Sequence, residues 1–209
     1  MAVASEHLNR SGLKSGSDQA FVVGQIQPAL EEITISEFFA RTVSRYPDRE
    51  ACIFCQSGER WTWSQLSQKV DQLAAGLLAL GVYKGDRVGI WSPNKPEWVL
   101  AQFATARIGA ILVNINPAYR RAELKYALVK VGVKVLITAG SFKTSNYLEM
   151  LNDLIPELAT CRPERLSSPE FPLLRSIIQI GVASHSGMFC FQEIIEISQN
   201  SAIFFQTSS

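Results

Sequence analysis

Apolar and polar positions along the chain change period repeatedly, from the spacing of a helix to that of a strand and back. Thr34-Ile35-Ser36-Glu37 has the form of a capping box and opens a predicted helix with Phe38, Phe39, Val43 and Tyr46 on its apolar face, ending before Pro47. A strand is expected at Ala51–Cys55, and Ser57-Gly58 turns it back into Arg60-Trp61-Thr62 as a β-hairpin. Thr62-Trp63-Ser64-Gln65 is a second capping box. Behind it Leu66, Val70, Leu73, Leu77 and Leu80 recur at helical spacing until Gly81. Gly85-Asp86 then leads into a strand, Arg87–Trp91.

Asn94-Lys95-Pro96-Glu97 caps a third helix that is apolar nearly all round through Trp98, Val99, Phe103 and Ile108, which predicts burial on several sides. Gly109 stops it, and Ala110–Val113 reads as a buried strand. Leu124, Ala127, Leu128 and Val131 form one face of a fourth helix ending at Gly132, followed by a strand at Val133–Thr138. A fifth helix carries Tyr147, Leu148, Leu151, Leu154 and Ile155 up to Pro156. Thr160–Pro172 is polar and rich in proline, the mark of a surface loop, and Ser176–Ile180 is one more strand. A short apolar piece runs from Phe189 to Ile197. Strands alternating with helices predict an α/β fold, a mainly parallel sheet with flanking helices. The segment divides into a flexible tail over 1–33, a partial domain over 34–197 and a polar tail over 198–209.

Composition narrows the functional classes. The 209 residues carry 20 basic and 19 acidic side chains, for a net charge of +1, so the chain as a whole offers no broad field to attract nucleic acid or an anionic membrane. No apolar run approaches the roughly 20 residues that span a bilayer. Met1 to Ala20 contains Arg10 and Lys14 but also Glu6 and Asp18. It reads as a tail rather than a mitochondrial presequence, which leaves an intracellular protein, mitochondrial or cytoplasmic. Cys52 and Cys55 form a C-x-x-C, but on a strand that spacing points the thiols to opposite faces. His7 and His185 lie far off in sequence. A metal or redox role is therefore not expected, and the four cysteines read as reduced packing residues.

Several short runs then combine in a specific order. They are Trp61-Thr62-Trp63-Ser64-Gln65-Leu66, Ala74-Ala75-Gly76-Leu77, Leu80-Gly81-Val82 and Lys84-Gly85-Asp86-Arg87-Val88-Gly89-Ile90. Ser92-Pro93-Asn94, Glu97-Trp98, Gly109-Ala110-Ile111-Leu112-Val113-Asn114 and Asn116-Pro117-Ala118-Tyr119 follow. In this order the runs resemble the N-terminal part of the adenylate-forming (AMP-dependent) ligases, and within them the medium-chain fatty acyl-CoA synthetases of mitochondria. The resemblance extends from about Thr34 to about Ile197. It implies ATP-dependent activation of a fatty acid: the carboxylate attacks the α-phosphate to give an acyl-adenylate, and coenzyme A then displaces AMP. ATP, magnesium and coenzyme A are implied as cofactors of the complete enzyme, with charge on the transferring group neutralised by a phosphate cradle.

That cradle is a Ser/Thr/Gly-rich run followed by Pro-Lys-Gly, and the family carries it downstream of the matching stretch. Ser184-His185-Ser186-Gly187 lacks the following lysine, and Thr207-Ser208-Ser209 has no glycine. The resemblance therefore transfers no catalytic, cofactor-binding or metal-binding residue onto this chain, and the segment alone is expected to be inactive. Residues that invite a role each have a plainer reading. Asn114-Ile115-Asn116-Pro117 lines a pocket or ends a strand, Arg120, Arg121 and Lys125 bind a coenzyme A phosphate or form a solvated helix face, and Trp98 and Phe103 line an acyl tunnel or belong to core. Lys84-Gly85-Asp86-Arg87 is a turn. Two functions stay open, a piece of an acyl-CoA ligase or a non-catalytic binding protein derived from that fold. A free-standing nucleotide-binding module is disfavoured for want of a glycine-rich loop. Apolar surface on Glu97–Ile108 and Ala110–Val113 is expected to stay wet, with self-association as a consequence.

Overall fold

A computed structural model describes residues 31–181 and 185–197. The chain divides into two units between Thr34 and Ile35, and every described helix and strand belongs to the second. The tails assigned to 1–33 and 198–209 lie outside the described residues, apart from 31–33.

Helix α1 (Ile35–Arg45) precedes an antiparallel hairpin of β1 (Glu50–Phe54) and β2 (Glu59–Thr62). Helix α2 (Trp63–Ala79) starts on the expected capping box: the Thr62 hydroxyl accepts the Gln65 N–H at 3.2 Å, and the Gln65 side-chain oxygen accepts the Thr62 N–H at 2.9 Å. Then follow β3 (Arg87–Trp91), α3 (Pro96–Ile108), β4 (Ile111–Asn114), α4 (Arg121–Val131) and β5 (Val135–Thr138). A small hairpin, β6 (Ser141–Phe142) and β7 (Ser145–Asn146), delivers the chain to α5 (Tyr147–Leu154). Two 3₁₀ turns, Pro156–Ala159 and Pro163–Arg165, lead to β8 (Ser176–Gln179), β9 (Phe189–Cys190) and a helical stretch over residues 191–197.

Strands β4, β3, β5, β8 and β9 form one sheet in that order, every neighbouring pair parallel. The chain starts in β3, moves outward to β4, then crosses back over β3 to β5. This is a doubly wound sheet whose winding reverses between β3 and β5. Alternation along the strands feeds two cores. Val88, Ile90, Val135, Ile137 and Ile178 pack with Phe39, α2, α3 and Ile194. Trp91, Leu136 and Ile177 pack with α4, α5 and the chain up to Leu174. Gly89, on the second face, has Val133, Ile115 and Leu136 side-chain atoms 3.1–3.3 Å from where a Cβ would stand, so the two layers close onto bare backbone there.

Three expectations need correction. Strand β4 is an edge strand with Ile111 51% exposed, because β3 covers only one of its sides. On α1 only Phe39 is buried, whereas Phe38 is 50% exposed: α1 meets the core along a narrow line rather than a broad face. Helix α3 has no side-chain cap at Lys95, so the expected cap over 94–97 is limited to Pro96 in the first turn. The burial expected for α3 is present. None of its residues is exposed, since α1, α2 and the sheet surround it.

The strand starts are tied by charge. Lys134 Nζ donates to the Gly81 carbonyl and to the Asp86 carboxylate, both at 2.7 Å, and that carboxylate also accepts the Tyr83 N–H at 2.8 Å. The hydrogen bond from Lys134 holds Asp86 below the usual carboxylate range. A depressed carboxylate contributes stability above its unfolded pKa and loses it as pH falls through the folded one. Asp86→Asn should therefore lower stability by about 0.5–1 kcal/mol at neutral pH and flatten the acid limb of a stability–pH curve from denaturant titrations. A second test concerns Gly76, where the Ile194 carbonyl and Cγ2 occupy the space of a Cβ. In a free helix Gly→Ala gains about 0.5–1 kcal/mol. Here Gly76→Ala should instead cost about 1–3 kcal/mol in thermal melts, because residues 191–197 must shift off α2.

Candidate functional site

In open parallel sheets, ligands collect outside the carboxyl ends of the strands where the winding reverses. In this chain that place is the mouth between β3 and β5. Trp91, Thr138, Gln179 and Cys190 are successive register partners across four strands and point to the face shared with α4 and α5. The tight β6–β7 hairpin, with Lys143 at φ 52°, and the Tyr147 N–H bond to the Gly140 carbonyl at 3.0 Å set the start of α5 over this row. Asn146 caps the helix by accepting the Glu149 N–H at 3.2 Å.

Tyr147 is thereby laid on Trp91, with ring centroids 3.5 Å apart and planes 6° from parallel. Both side chains are fully buried. Trp91 Nε1 donates to the Asn116 carbonyl at 3.2 Å, and the Tyr147 hydroxyl donates to the Pro117 carbonyl. The mouth is filled by two rings anchored to the β4–α4 loop. Burial pushes the Tyr147 phenol up to about 12. Around the rings, the Ser92 hydroxyl donates to the Pro93 carbonyl at 2.8 Å, Thr138 to the Ala139 carbonyl at 3.0 Å, and the Cys190 thiol to the Gly181 carbonyl at 2.8 Å. The Gln179 Oε1 is buried with no hydrogen-bond partner among the described residues. These groups make a rigid floor. They do not pair a nucleophile with a base.

The residues singled out by sequence scatter. Asn116 accepts the Ala118 N–H through its side chain at 2.9 Å, so 114–117 is the strand-ending turn, though its two carbonyls also hold the rings. Arg121 pairs with Asp153, and Lys125 lies 2.5 Å from Glu170, which makes the α4 cations an exposed seam to α5 and the following loop. The Arg120 N–H donates to Glu123 at 3.1 Å. Lys84–Arg87 sits at the opposite, amino end of the sheet. Phe103 stacks on Phe39 at 4.5 Å, whereas Trp98 borders a surface groove of about 640 Å³ with Ile53, Phe54, Lys95, Pro96 and Val99. Cys55 lies past the end of β1, so the two thiols do not share a strand as expected. Cys55 is exposed, and Cys52 is half-buried with its thiol pushed up by burial. No group of three or more His, Cys, Asp or Glu able to hold a metal occurs among the described residues. His185–Gly187 forms a turn, with the Met188 N–H on the His185 carbonyl at 3.2 Å; Ser184 and 207–209 lie outside the described residues.

Residues 39–181 match the model of the AMP-binding enzyme family. The chain belongs to that family. A medium-chain acyl-CoA ligase, ACSF2, mitochondrial, of Danio rerio is 41% identical over 85% of this chain and 29% of its own length. The human ACSF2 protein is 39% identical over 84% of this chain and 28% of its own. The chain thus spans under a third of the curated relatives it matches. Among solved structures, a putative long-chain-fatty-acid CoA ligase from Rhodopseudomonas palustris aligns with TM-score 0.63 and 25% identity over 78% of this chain and 36% of that one. An anthranilate CoA ligase in complex with anthranoyl-AMP aligns with TM-score 0.66 and 23% identity, over 79% and 28%, and supports the fold alone.

Within the family-matched stretch, the Trp91–Tyr147 pair joins three connections that are distant in sequence. The sequence pattern places Tyr147 on the apolar face of α5 but does not show its partner. Its one polar atom and its position first in the helix, behind the capping residue Asn146, were the available signals. Tyr147→Phe should cost about 1–2 kcal/mol by leaving the Pro117 carbonyl without its donor. A phenol raised above its usual value near 10 stabilises the fold fully below about pH 10 and ceases to as pH rises through 12. In the Tyr147→Phe protein the alkaline loss of stability should shrink, and phenolate absorbance should lose its last-titrating component.

Proposed function

We propose that this chain is the amino-terminal segment of an acyl-CoA synthetase that activates a medium-chain fatty acid through an acyl-adenylate and transfers it to coenzyme A, and that the segment does not run the reaction alone. The similarity to medium-chain acyl-CoA ligases at 39–41% identity supports the substrate class, and their mitochondrial designation supports the same compartment for this chain. Among the described residues no helix is long and apolar enough to cross a membrane.

The observation that carries the division of labour is the aromatic plug. ATP and magnesium are the cofactors of such an activation, and the described residues do not fit them. Trp91 and Tyr147 occupy the reversal point of the sheet, Lys134 is committed to Asp86, and Arg121 and Lys125 are committed to Asp153 and Glu170. A phosphate-transfer site needs free cations and donors aimed at developing charge. In this reading residues 34–197 form a partial domain whose role is to hold a rigid, ligand-free sheet beside the segment that carries the phosphate cradle.

The test is a chimera in which this chain replaces the corresponding segment of a medium-chain acyl-CoA ligase. Pyrophosphate release with a medium-chain acid, ATP and magnesium should be absent for the 209-residue chain and present for the chimera. Turnover by the chain alone would overturn the division of labour, and a folded but inert chimera would overturn the ligase reading.

A further inference from the structure

Trp98 and Phe103 sit on the same helix but differ in what covers them. Phe103 is stacked on Phe39, whereas Trp98, half-buried, also borders the groove between the β1–β2 hairpin and the start of α3. Ile53, Phe54, Pro96 and Val99 continue an apolar lining there, and Ile53 is 49% exposed in it. The walls are fixed by the fold. Phe54 meets Trp61 edge-on with ring centroids 4.7 Å apart, and Trp98 and Val99 lie against the core that α2 and α3 share. A volume of about 640 Å³ falls within the range of about 300–1,000 Å³ typical of small-molecule pockets.

One charged side chain lines this groove, that of Lys95. The residue is exposed, and its ammonium has no ion-pair or hydrogen-bond partner among the described residues. The neighbouring carboxylates do not neutralise it. Glu50 holds Arg60, while Glu59 and Glu97 border a separate groove together with Trp61 and Lys69. An apolar cleft edged by one unpaired cation is complementary to an apolar body that ends in one negative charge.

We infer that this groove binds an amphipathic monocarboxylate, its apolar body along Ile53, Phe54, Trp98 and Val99 and its carboxylate on the Lys95 ammonium. Burying the body supplies the larger share of the affinity, and the ammonium selects the charged end. A polyphosphate or a nucleic acid would call for several cations and leave the apolar lining unused. A neutral hydrocarbon would leave Lys95 unused. The inference concerns equilibrium binding without ATP and does not rest on the activation proposed above.

The experiment is equilibrium dialysis of the 209-residue chain with decanoate, decanol and butyrate. Decanoate is expected to saturate at one molecule per chain, with decanol about two- to fivefold weaker, the effect of one exposed ion pair. Butyrate, with little apolar body, should not bind detectably. Lys95→Met should bring decanoate down to the level of decanol and leave decanol unchanged. Ile53→Asp sets a carboxylate into the apolar wall at an exposed position, and should weaken decanoate at least about tenfold with the melting profile retained. Should Ile53→Asp melt early, Lys95→Met carries the test. Bound decanoate should also slow alkylation by iodoacetamide of Cys55, which is exposed and lines the same groove. No saturable binding, or equal binding of decanoate and decanol that Lys95→Met does not alter, overturns the proposal. Decanoate binding that leaves Cys55 alkylation unchanged would lie elsewhere on the chain, and overturns it as well.

Discussion

From Val88 to Trp91 strand β3 has no side that meets water, and the rest of the segment is arranged to make that so. It is hydrogen-bonded on both edges, by β4 and β5, and Val88 to Trp91 are buried on both faces. Its alternation sends Val88 and Ile90 into one core and Gly89 and Trp91 into the other, so a change of register by one residue would exchange the two cores. A strand buried on both faces needs a helical layer on each, which is why the winding must reverse beside it. Helices α1 to α3 and the hairpin supply one layer, and α4 and α5 supply the other.

The two ends of that strand are held by different physics. At its start, Asp86, Lys134, Arg87 and the carbonyls of Gly81, Gly85 and Val131 form a partly exposed polar clasp. At its finish, Trp91 and Tyr147 form a dry stack whose only polar atoms donate to two carbonyls of one loop. The charged end tolerates water and responds to acid, and the aromatic end excludes water and responds to alkali. A nucleotide site would require the reverse, with polarity and open space at the carboxyl end. The supporting role proposed for this sheet rests on that contrast between its two ends.

Much of the fold was legible because local chemistry and global packing agree. The capping box at Thr62, the leucine stripe of α2 and the left-handed glycines at 109 and 132 end or begin elements where the sequence says they should. Strand β3 appears with the expected bounds. What the sequence could not express is the number of neighbours an element has. Leu112 and Val113 read as buried because they are apolar, yet sheet order leaves β4 with one partner. Phe38 and Phe39 are equal as letters, and only the angle at which α1 meets α3 decides that one is buried. The hairpin β6–β7 and strand β9, two residues a strand, are too short to show a period. The Trp91–Tyr147 contact spans 56 positions and depends on the topology that brings α5 back across the end of β3.

The same distinction changes what is expected of the segment's stability. An apolar helix such as α3 threatens a fragment only if the layers around it are missing. In this fold α1, α2 and the sheet leave none of its residues fully exposed and Phe103 stacks on Phe39 within that cover, although Trp98 and Val99 border a surface groove. Large apolar side chains that do stay wet among the described residues include Ile111 on the open strand edge, Tyr126, Val129 and Val131 on α4, Leu78 on α2, Ile53 on β1, and Ile35 and Phe38 on α1. Such exposure subtracts little from the stability of the closed cores, since burying those groups was never part of forming them. It acts instead on what the segment touches. Among the described residues β4 pairs with β3 alone, so its other side offers a strand-pairing edge. The wet apolar groups are therefore lateral to the two cores, along a sheet edge and the outer faces of helices.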